Sequence, residues 1–386
     1  MAKRLIYVGF NGFPRASAEV VKQKLICKTF QLMGFECTII CNKNYFFGNY
    51  RYRGTIEGIS YFYSTFLYSK TKSKIFNKLI QIFGVCVEKL YLIYKPTDVA
   101  IISSRNFWAI SIYALIFKIK RTKTLLTHVE DVSSVGKKSV GKKWNDYLFN
   151  HYAFRLVDGA LPISEYLKNK ISNFAPETLQ LKLPVMVDYN SFKLKEIRDE
   201  FTVGISFNYF LYCGSVSYKE VLNFIVDSFK AVGSSYKLVL ILNGQPEKLK
   251  IIRNELKEYK NIIIYSEISF QHLIYLYNNA KGLLIPLRET VQDKARFPHK
   301  IGEYTASGNP IITNNWGEVK NLFTNKVNAF VCERYDVELF TAAMRFIIDN
   351  PKESKSIGLN GEKMAKDVFN YPNYVEPLSN LIKSIT

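Results

Sequence analysis

Short apolar runs alternate along this chain with longer segments whose apolar positions recur at helical spacing. Runs of the first kind suit strands buried on both faces of a parallel sheet, and segments of the second kind suit helices laid across it. In the first half the predicted strands are Leu5–Gly9, Glu36–Cys41, Asp98–Ser103, Thr124–His128 and Gly159–Ile163, with a less regular run at Gly58–Tyr63. Helical periodicity fills Ala16–Met33, Ile75–Tyr94, Phe107–Lys118, Lys143–Leu156 and Glu165–Asn173. The alternation then restarts. Strands are predicted at Phe210–Cys213, Lys237–Leu242, Asn261–Tyr265, Gly282–Ile285, Pro310–Thr313 and Ala329–Cys332, and helices at Glu220–Ala231, Pro246–Tyr259, Phe270–Asn278, Ile301–Ala306 and Val337–Asp349.

The order predicts an α/β protein of two doubly wound, Rossmann-like domains in tandem. The first covers residues 1–190 and the second 191–370, with 371–386 forming a terminal helix that can pack back on the first. The join is placed in polar Asp188–Asn208, where Lys193–Glu200 reads as a solvated charge run. Ligands of such sheets bind beyond the carboxyl ends of the strands, so the loops there are the candidate sites. Two such domains facing each other would form a cleft.

Composition narrows the classes. At 386 residues, with 48% hydrophobic and 15% aromatic positions, the chain can fill two cores, which excludes general disorder. Its formal charge of +20 is uneven: residues 1–190 hold 28 Lys+Arg against 12 Asp+Glu, and residues 191–386 hold 25 against 21. That asymmetry predicts an anionic partner for the first half, whether membrane surface, phosphorylated acceptor or nucleic acid; a solubilising lysine-rich surface is the alternative. Six scattered cysteines with no Cys-x-x-Cys pair point to reduced thiols and a cytoplasmic setting. No secretion signal is evident after Met1-Ala2-Lys3-Arg4. Phe107–Phe117 is too short to span a bilayer, and Lys78, Glu88 and Lys89 interrupt Ile75–Tyr94, so no transmembrane helix is predicted.

The most specific segment runs from Arg296 to Ile312: a loop, a helix opened at Pro298, a turn at Ser307-Gly308 and a strand. Lys300 and Glu303 lie three apart on one face of that helix, within a turn of its N-terminus, where backbone N–H groups can hold an anion. A cation beside a carboxylate there suits a phosphate carrying a sugar. Upstream, the strand at Phe210 runs into Gly214-Ser215-Val216-Ser217-Tyr218-Lys219, where Gly214 permits close approach and Lys219 opens a helix as a point charge. The strand Leu240–Leu242 ends in Asn243-Gly244. In the first half, Gly9-Phe10-Asn11-Gly12-Phe13-Pro14 joins a strand to a helix but lacks the Gly-x-Gly-x-x-Gly fingerprint of nicotinamide enzymes. His128 ends a strand ahead of Glu130; it reads either as a site residue or as a satisfied sheet-edge histidine. Arg296 reads as a diphosphate contact or a plain surface arginine.

In this order the segments resemble the two-domain, sugar-nucleotide-dependent GT-B glycosyltransferases, especially family 4 (glycosyl transferases group 1). The resemblance implies that Glu303 binds the ribose hydroxyls of a nucleotide, with Gly214, Ser215, Arg296, Gly12 and Gly244 around the donor. It implies catalytic roles for His128, Lys219 and Lys300, and an acceptor side including Asn11, Phe13 and Glu130. The family pattern departs at two places: Ser215 stands where an Arg is usual, and Ala295 stands where the first Glu of Glu-x7-Glu would fall, with Glu289 and Asp293 nearby. No cofactor is implied beyond the nucleotide-diphosphate sugar substrate. No Asp-x-Asp pair exists, so no metal site is expected, and leaving-group charge falls to Lys219, Lys300, Arg296 and helix N-termini. The family implies retention of anomeric configuration, a glycan or lipid-linked acceptor and bacterial surface polysaccharide synthesis. Two alternatives stay open: a non-catalytic binding or regulatory relative, and a sugar-nucleotide epimerase.

Aromatics interleave with cations over Tyr45–Tyr94, in Tyr50-Arg51-Tyr52-Arg53, Tyr61-Phe62-Tyr63, Lys70, Lys72, Lys74 and Lys78. Such a segment predicts peripheral contact with anionic lipid on the inner face of the plasma membrane. No nucleic-acid-binding module is recognised, so nucleic acid is not an expected partner.

Overall fold

The computed structural model describes residues 2–14, 17–42, 51–65, 73–136, 139–193 and 199–385. Tyr45, Tyr50, Lys70 and Lys72 of the aromatic–basic stretch, and residues 194–198 of the charge run, lie outside the described residues. The chain forms two compact units, one of residues 1–186 with 371–386 and the other of residues 187–370.

The first unit runs β1 (Lys3–Val8), α1 (Ala18–Leu32), β2 (Phe35–Cys41), β3 (Arg53–Ile56), β4 (Ile59–Tyr63), α2 (Lys74–Tyr94), β5 (Val99–Ile102), α3 (Phe107–Ile119), β6 (Lys123–His128), α4 (Val140–Tyr152), β7 (Gly159–Pro162), α5 (Glu165–Phe174) and β8 (Leu179–Gln180). Its sheet has the order β3-β4-β2-β1-β5-β6-β7-β8 and is parallel except for β3, which runs antiparallel to β4. Alternation along the strands builds two cores. Leu5, Tyr7, Ile39, Ile101 and Leu125 pack with Leu25, Ile26 and Phe30 of α1. Ile6, Val8, Ile40, Ile102 and Leu126 pack on the other side with Tyr113 and Phe117 of α3 and Phe149 of α4. Ser17, Ser73, Asn106, Ser139 and Ser164 cap α1 to α5, each accepting the backbone N–H three residues on.

The second unit runs α6 (Glu200–Val203), β9 (Tyr209–Ser215), α7 (Lys219–Lys230), β10 (Lys237–Asn243), α8 (Pro246–Leu256), β11 (Ile262–Tyr265), α9 (Phe270–Asn279), β12 (Gly282–Leu284), α10 (Val291–Ala295), α11 (His299–Ala306), β13 (Ile311–Asn314), α12 (Val319–Leu322), β14 (Phe330–Cys332), α13 (Val337–Asp349) and α14 (Pro351–Val368). Its sheet is parallel, ordered β11-β10-β9-β12-β13-β14. The last helix, α15 (Val375–Ser384), belongs to the first unit, where Leu378, Leu381 and Ile385 enter the α1-side core. Lys123 Nζ donates to the Ile382 carbonyl at 2.8 Å.

Three elements differ from the sequence expectation. Strand β3 was not anticipated because it buries no face and so carries no hydrophobic alternation. The helix expected over Lys143–Leu156 is α4 followed by a separate 3₁₀ turn at Ala153–Leu156. The 18-residue α14 was missed because the buried face includes Ser354, Gly358, Gly361 and Ala365, small residues that leave only a weak apolar stripe. Those glycines serve close packing: a Cβ on Gly358 would lie 2.7 Å from the backbone of Gly308 and Asn309, just past α11. Five of the six cysteines are buried, and none is paired.

Leu378 is fully buried. Leu378→Ala should cost about 2–5 kcal/mol, seen as a lower urea midpoint with unchanged slope. An unchanged midpoint would show that α15 contributes nothing to the first unit's core.

Candidate active site

Each sheet changes direction beside its first strand. In the second unit the chain builds outward from β9 through β10 to β11, then returns to the other side of β9 with β12. The loops after β9 and β12 therefore part at the carboxyl edge and leave a crevice between adjacent strands, the position where open α/β sheets hold ligands. The first unit reverses in the same way between β1 and β5. There Gly9 has φ +91°, and a Cβ on it would meet the Ser103 carbonyl at 2.7 Å, so the two loops touch backbone to backbone.

The β9–α7 loop holds Gly214 and Ser215, with the Val216 N–H donating to the Asn243 carbonyl at 3.0 Å. Gly244, at φ +148°, leaves room for Val216; a Cβ there would lie 2.3 Å from its methyl group. Lys219 opens α7 and pairs with Glu255 at 2.6 Å, both side chains well exposed. Tyr218 ahead of α7 and Pro298 ahead of α11 supply no side-chain cap, in contrast to every N-cap of the first unit's α-helices before α15. The first N–H groups of both helices are left for water or a ligand.

On α11 the expected pair is formed: Lys300 Nζ lies 2.7 Å from Glu303 Oε2, and the Glu303 side chain is nearly buried. Burial acts to lower the Lys300 pKa, but Cys213 and Glu303 raise it above the ordinary value, so the ammonium is charged at neutral pH. One turn on, Tyr304 OH accepts the Cys213 N–H at 2.7 Å, tying α11 to β9. At the other end of the helix, Asn309 Nδ2 donates to the Tyr277 and Asn278 carbonyls at 2.8 and 2.7 Å. Lys355 of α14 donates to the Gly308 carbonyl and Asn309 Oδ1, each at 2.9 Å. The helix that carries Lys300 and Glu303 is thus fixed from both ends.

Ala295 is fully buried, and neither expected substitute for the missing glutamate is free. Glu289 accepts the Tyr335 N–H at 3.3 Å. Asp293, also buried, holds two arginines: Arg288 through Nε at 2.9 Å and NH2 at 3.2 Å, and Arg296 through NH2 at 2.6 Å. Asp293 raises the Arg288 pKa further, so that guanidinium is permanently charged. Arg296 NH1 donates to Tyr218 OH at 2.8 Å, and the two guanidinium groups lie 5.0 and 5.5 Å from the Tyr218 ring centre. Arg296 is therefore a built element of the switch-point loops and not a plain surface arginine. Arg288 and Tyr218 were missed by the sequence reading. Their only local signal was the five-residue spacing of Arg288 and Asp293, and Tyr218 lies 78 positions from Arg296.

The first unit's candidates are less open. Asn11 and Asn42 hydrogen-bond mutually, at 3.2 and 2.6 Å. Gly12 takes φ +137°. Phe13, expected on the acceptor side, is instead core: its ring meets Tyr61 edge-on at 5.5 Å and its carbonyl accepts Tyr63 OH at 2.7 Å. Glu130 pairs with Arg105. His128 also departs from expectation. Strand alternation sends it toward α4, between Phe149 and Phe154 at 5.4 and 5.0 Å, where it is 2% exposed and neither ring nitrogen has a partner among the described residues. Burial first, and Lys170 second, hold its pKa down at about 3. Among the described residues no group of three or more His, Cys, Asp or Glu could hold a metal ion.

A doubly wound unit with cations and two open helix ends at its switch point belongs to the class of nucleotide-binding α/β proteins, and the comparisons narrow that class. Residues 195–364 match the family described as glycosyl transferases group 1, and the second unit is a domain of that family. The whole chain has the GT-B glycosyltransferase fold. It resembles sucrose-phosphate synthase from Thermosynechococcus elongatus at TM-score 0.77 and 13% identity, covering 99% of this chain and 98% of that one. HepE of Anabaena, solved in complex with UDP and glucose, resembles it at TM-score 0.72 and 12% identity over 100% of both chains. By sequence it is 24% identical over 259 residues to the capsular polysaccharide biosynthesis glycosyltransferase CapM of Staphylococcus aureus, across 61% of this chain. The match spans 64% of that relative's length, under two-thirds.

The depressed His128 pKa has a signed consequence. Between the ordinary 6.5 and about 3, the unfolded chain binds a proton there that the native chain does not. Stability contributed by the neutral ring is therefore complete above pH 6.5 and lost progressively as pH falls toward 3. Comparing urea midpoints from pH 7 down to pH 4, His128→Phe should lose less stability than the wild type. Parallel losses would contradict the buried, neutral assignment.

Proposed function

We propose that the protein is a glycosyltransferase that moves a sugar from a nucleoside-diphosphate donor to a glycan or lipid-linked acceptor. The observation that carries this reading is the Lys300–Glu303 pair on an uncapped helix at the switch point, beside the Asp293-held Arg288–Arg296 pair. The group 1 domain supports the donor class, and HepE in complex with UDP and glucose supports a nucleoside diphosphate at this end of the second sheet. The likeness to CapM supports a role in surface polysaccharide synthesis at the inner face of the plasma membrane.

In this reading the acceptor hydroxyl oxygen bonds to the anomeric carbon as the bond from that carbon to the diphosphate oxygen breaks. The hydroxyl proton passes to the departing phosphate, on the face the phosphate vacates, which gives retention. Negative charge grows on the leaving diphosphate, and fixed cations placed there in advance lower the barrier most. Lys300 stands in the first turn of α11, Arg288 and Arg296 are oriented by Asp293, and Lys219 opens α7. The Lys219–Glu255 pair is exposed and worth at most about 1 kcal/mol, so a diphosphate can replace Glu255 at little cost. Glu303 offers carboxylate oxygens to the ribose hydroxyls. With these cations in place the reaction is proposed to proceed without a metal ion.

The test is turnover across a panel of nucleoside-diphosphate sugars. Lys300→Ala should lower kcat by roughly 10²-fold or more, and Glu303→Ala should chiefly raise KM for the donor. Wild-type activity should persist in a chelator. Donor binding without hydrolysis or transfer for every donor and acceptor would favour a non-catalytic relative, and loss of activity in chelator would overturn the metal-free mechanism.

A further inference from the structure

Helix α2 is amphipathic in the inverse sense. Its buried positions are Gly84, Glu88 and Leu92, while Ile75, Leu79, Ile82, Leu90 and Ile93 face outward at steps of three, four or eight residues. The orientation is enforced from inside: Glu88, with no exposure, accepts Tyr113 OH and Asn42 Nδ2, each at 2.8 Å, and pairs with Lys89 at 2.9 Å. Turning the apolar stripe inward would bring that carboxylate out of its hydrogen bonds and leave two buried donors unmatched.

The neighbouring helices on the same side of the sheet repeat the pattern. On α3, Trp108, Ile112, Leu115 and Ile119 are exposed at helical spacing, Trp108 at 64% and Ile119 at 75%. On α4, Val140, Trp144 and Tyr147 do the same. Monomeric soluble proteins rarely expose apolar surface over three consecutive helices.

Charge decides what covers this face. Glu88 is the only carboxylate on α2 or α3, and it is buried. Lys74, Lys78, Lys95, Lys118 and Arg121 are exposed on these helices and at their ends. A second copy laid on the same face would set these cations against one another. Phosphate headgroups would neutralise them, and the apolar stripes would enter the acyl boundary beneath. No helix among the described residues is long and apolar enough to cross a membrane, so contact would lie along the surface.

We propose that the outer face of α2, α3 and α4 docks on a bilayer containing anionic lipid. The inference rests on the transferase reading for its purpose, since a lipid-linked acceptor resides at such a surface, but its test needs no turnover. The full-length protein is floated with phosphatidylcholine vesicles, with and without phosphatidylglycerol. Wild type should bind the anionic vesicles at least tenfold more tightly. Leu79→Ser with Ile82→Ser should weaken binding by roughly tenfold or more, as should Lys74→Ser with Lys78→Ser. Both changes lie on exposed positions, and an unchanged urea midpoint confirms folding. Absence of wild-type flotation, or flotation indifferent to both double variants, overturns the proposal. A dimer that the apolar variants dissociate, without vesicle binding, would instead assign the face to a second copy. Vesicle binding by a protein that transfers no sugar would keep the docking surface and sink the transferase reading.

Discussion

The reversal of strand order beside the first strand of each sheet is the constraint on which the rest depends. A parallel sheet wound in one direction covers every strand end with the next crossover. Reversal leaves two loops at the carboxyl edge with nothing between them, and the chain must then stabilise exposed strand ends and helix starts by other means. In the second unit it does so with charge. Lys219, Arg288, Arg296 and Lys300 come from four places in the sequence, and the reversal at β9 and β12 gathers their elements.

Gathering cations in one place costs stability unless carboxylates separate them, and here three carboxylates do so in different ways. Glu255 holds Lys219 in an exposed, exchangeable pair. Glu303 holds Lys300 within its own helix, so pairing and placement are one event. Asp293 is buried and shared by two arginines, so it orients both while leaving the trio with net positive charge. The small residues of α14 complete the arrangement by letting α11 approach closely enough for Lys355 to hold its last turn. In the first unit buried polar groups do different work: Glu88 fixes the roll of α2 and so determines which face meets the surroundings.

Much of this was legible in the sequence where one residue's neighbours along the chain are also its neighbours in space. Buried parallel strands announce themselves as continuous apolar runs, and a lysine three residues before a glutamate on a helix predicts its own ion pair. Strand β3 and helix α14 were not legible because their burial is slight or is achieved by glycine and alanine. The Asp293–Arg296–Tyr218 cluster was hidden because its closing partner comes from another loop. His128 shows the subtler limit. Alternation implies that Thr127 and His128 face opposite sides of the sheet, yet which side is packed by Phe149 and Phe154 depends on helices the strand itself does not specify.

The central claim is that the second unit's switch point holds a nucleoside diphosphate through fixed cations and one carboxylate. Calorimetric titration of the full-length protein with a nucleoside, its monophosphate and its diphosphate tests it directly, using the uracil series first and then the guanine, adenine and thymine series. The account requires at least one diphosphate to bind well above its nucleoside, with Arg296→Ala removing most of that phosphate increment and Glu303→Ala weakening all three ligands alike. Equal affinity for nucleoside and diphosphate in every series, or a diphosphate increment untouched by Arg296→Ala, Lys300→Ala and Lys219→Ala, would contradict it.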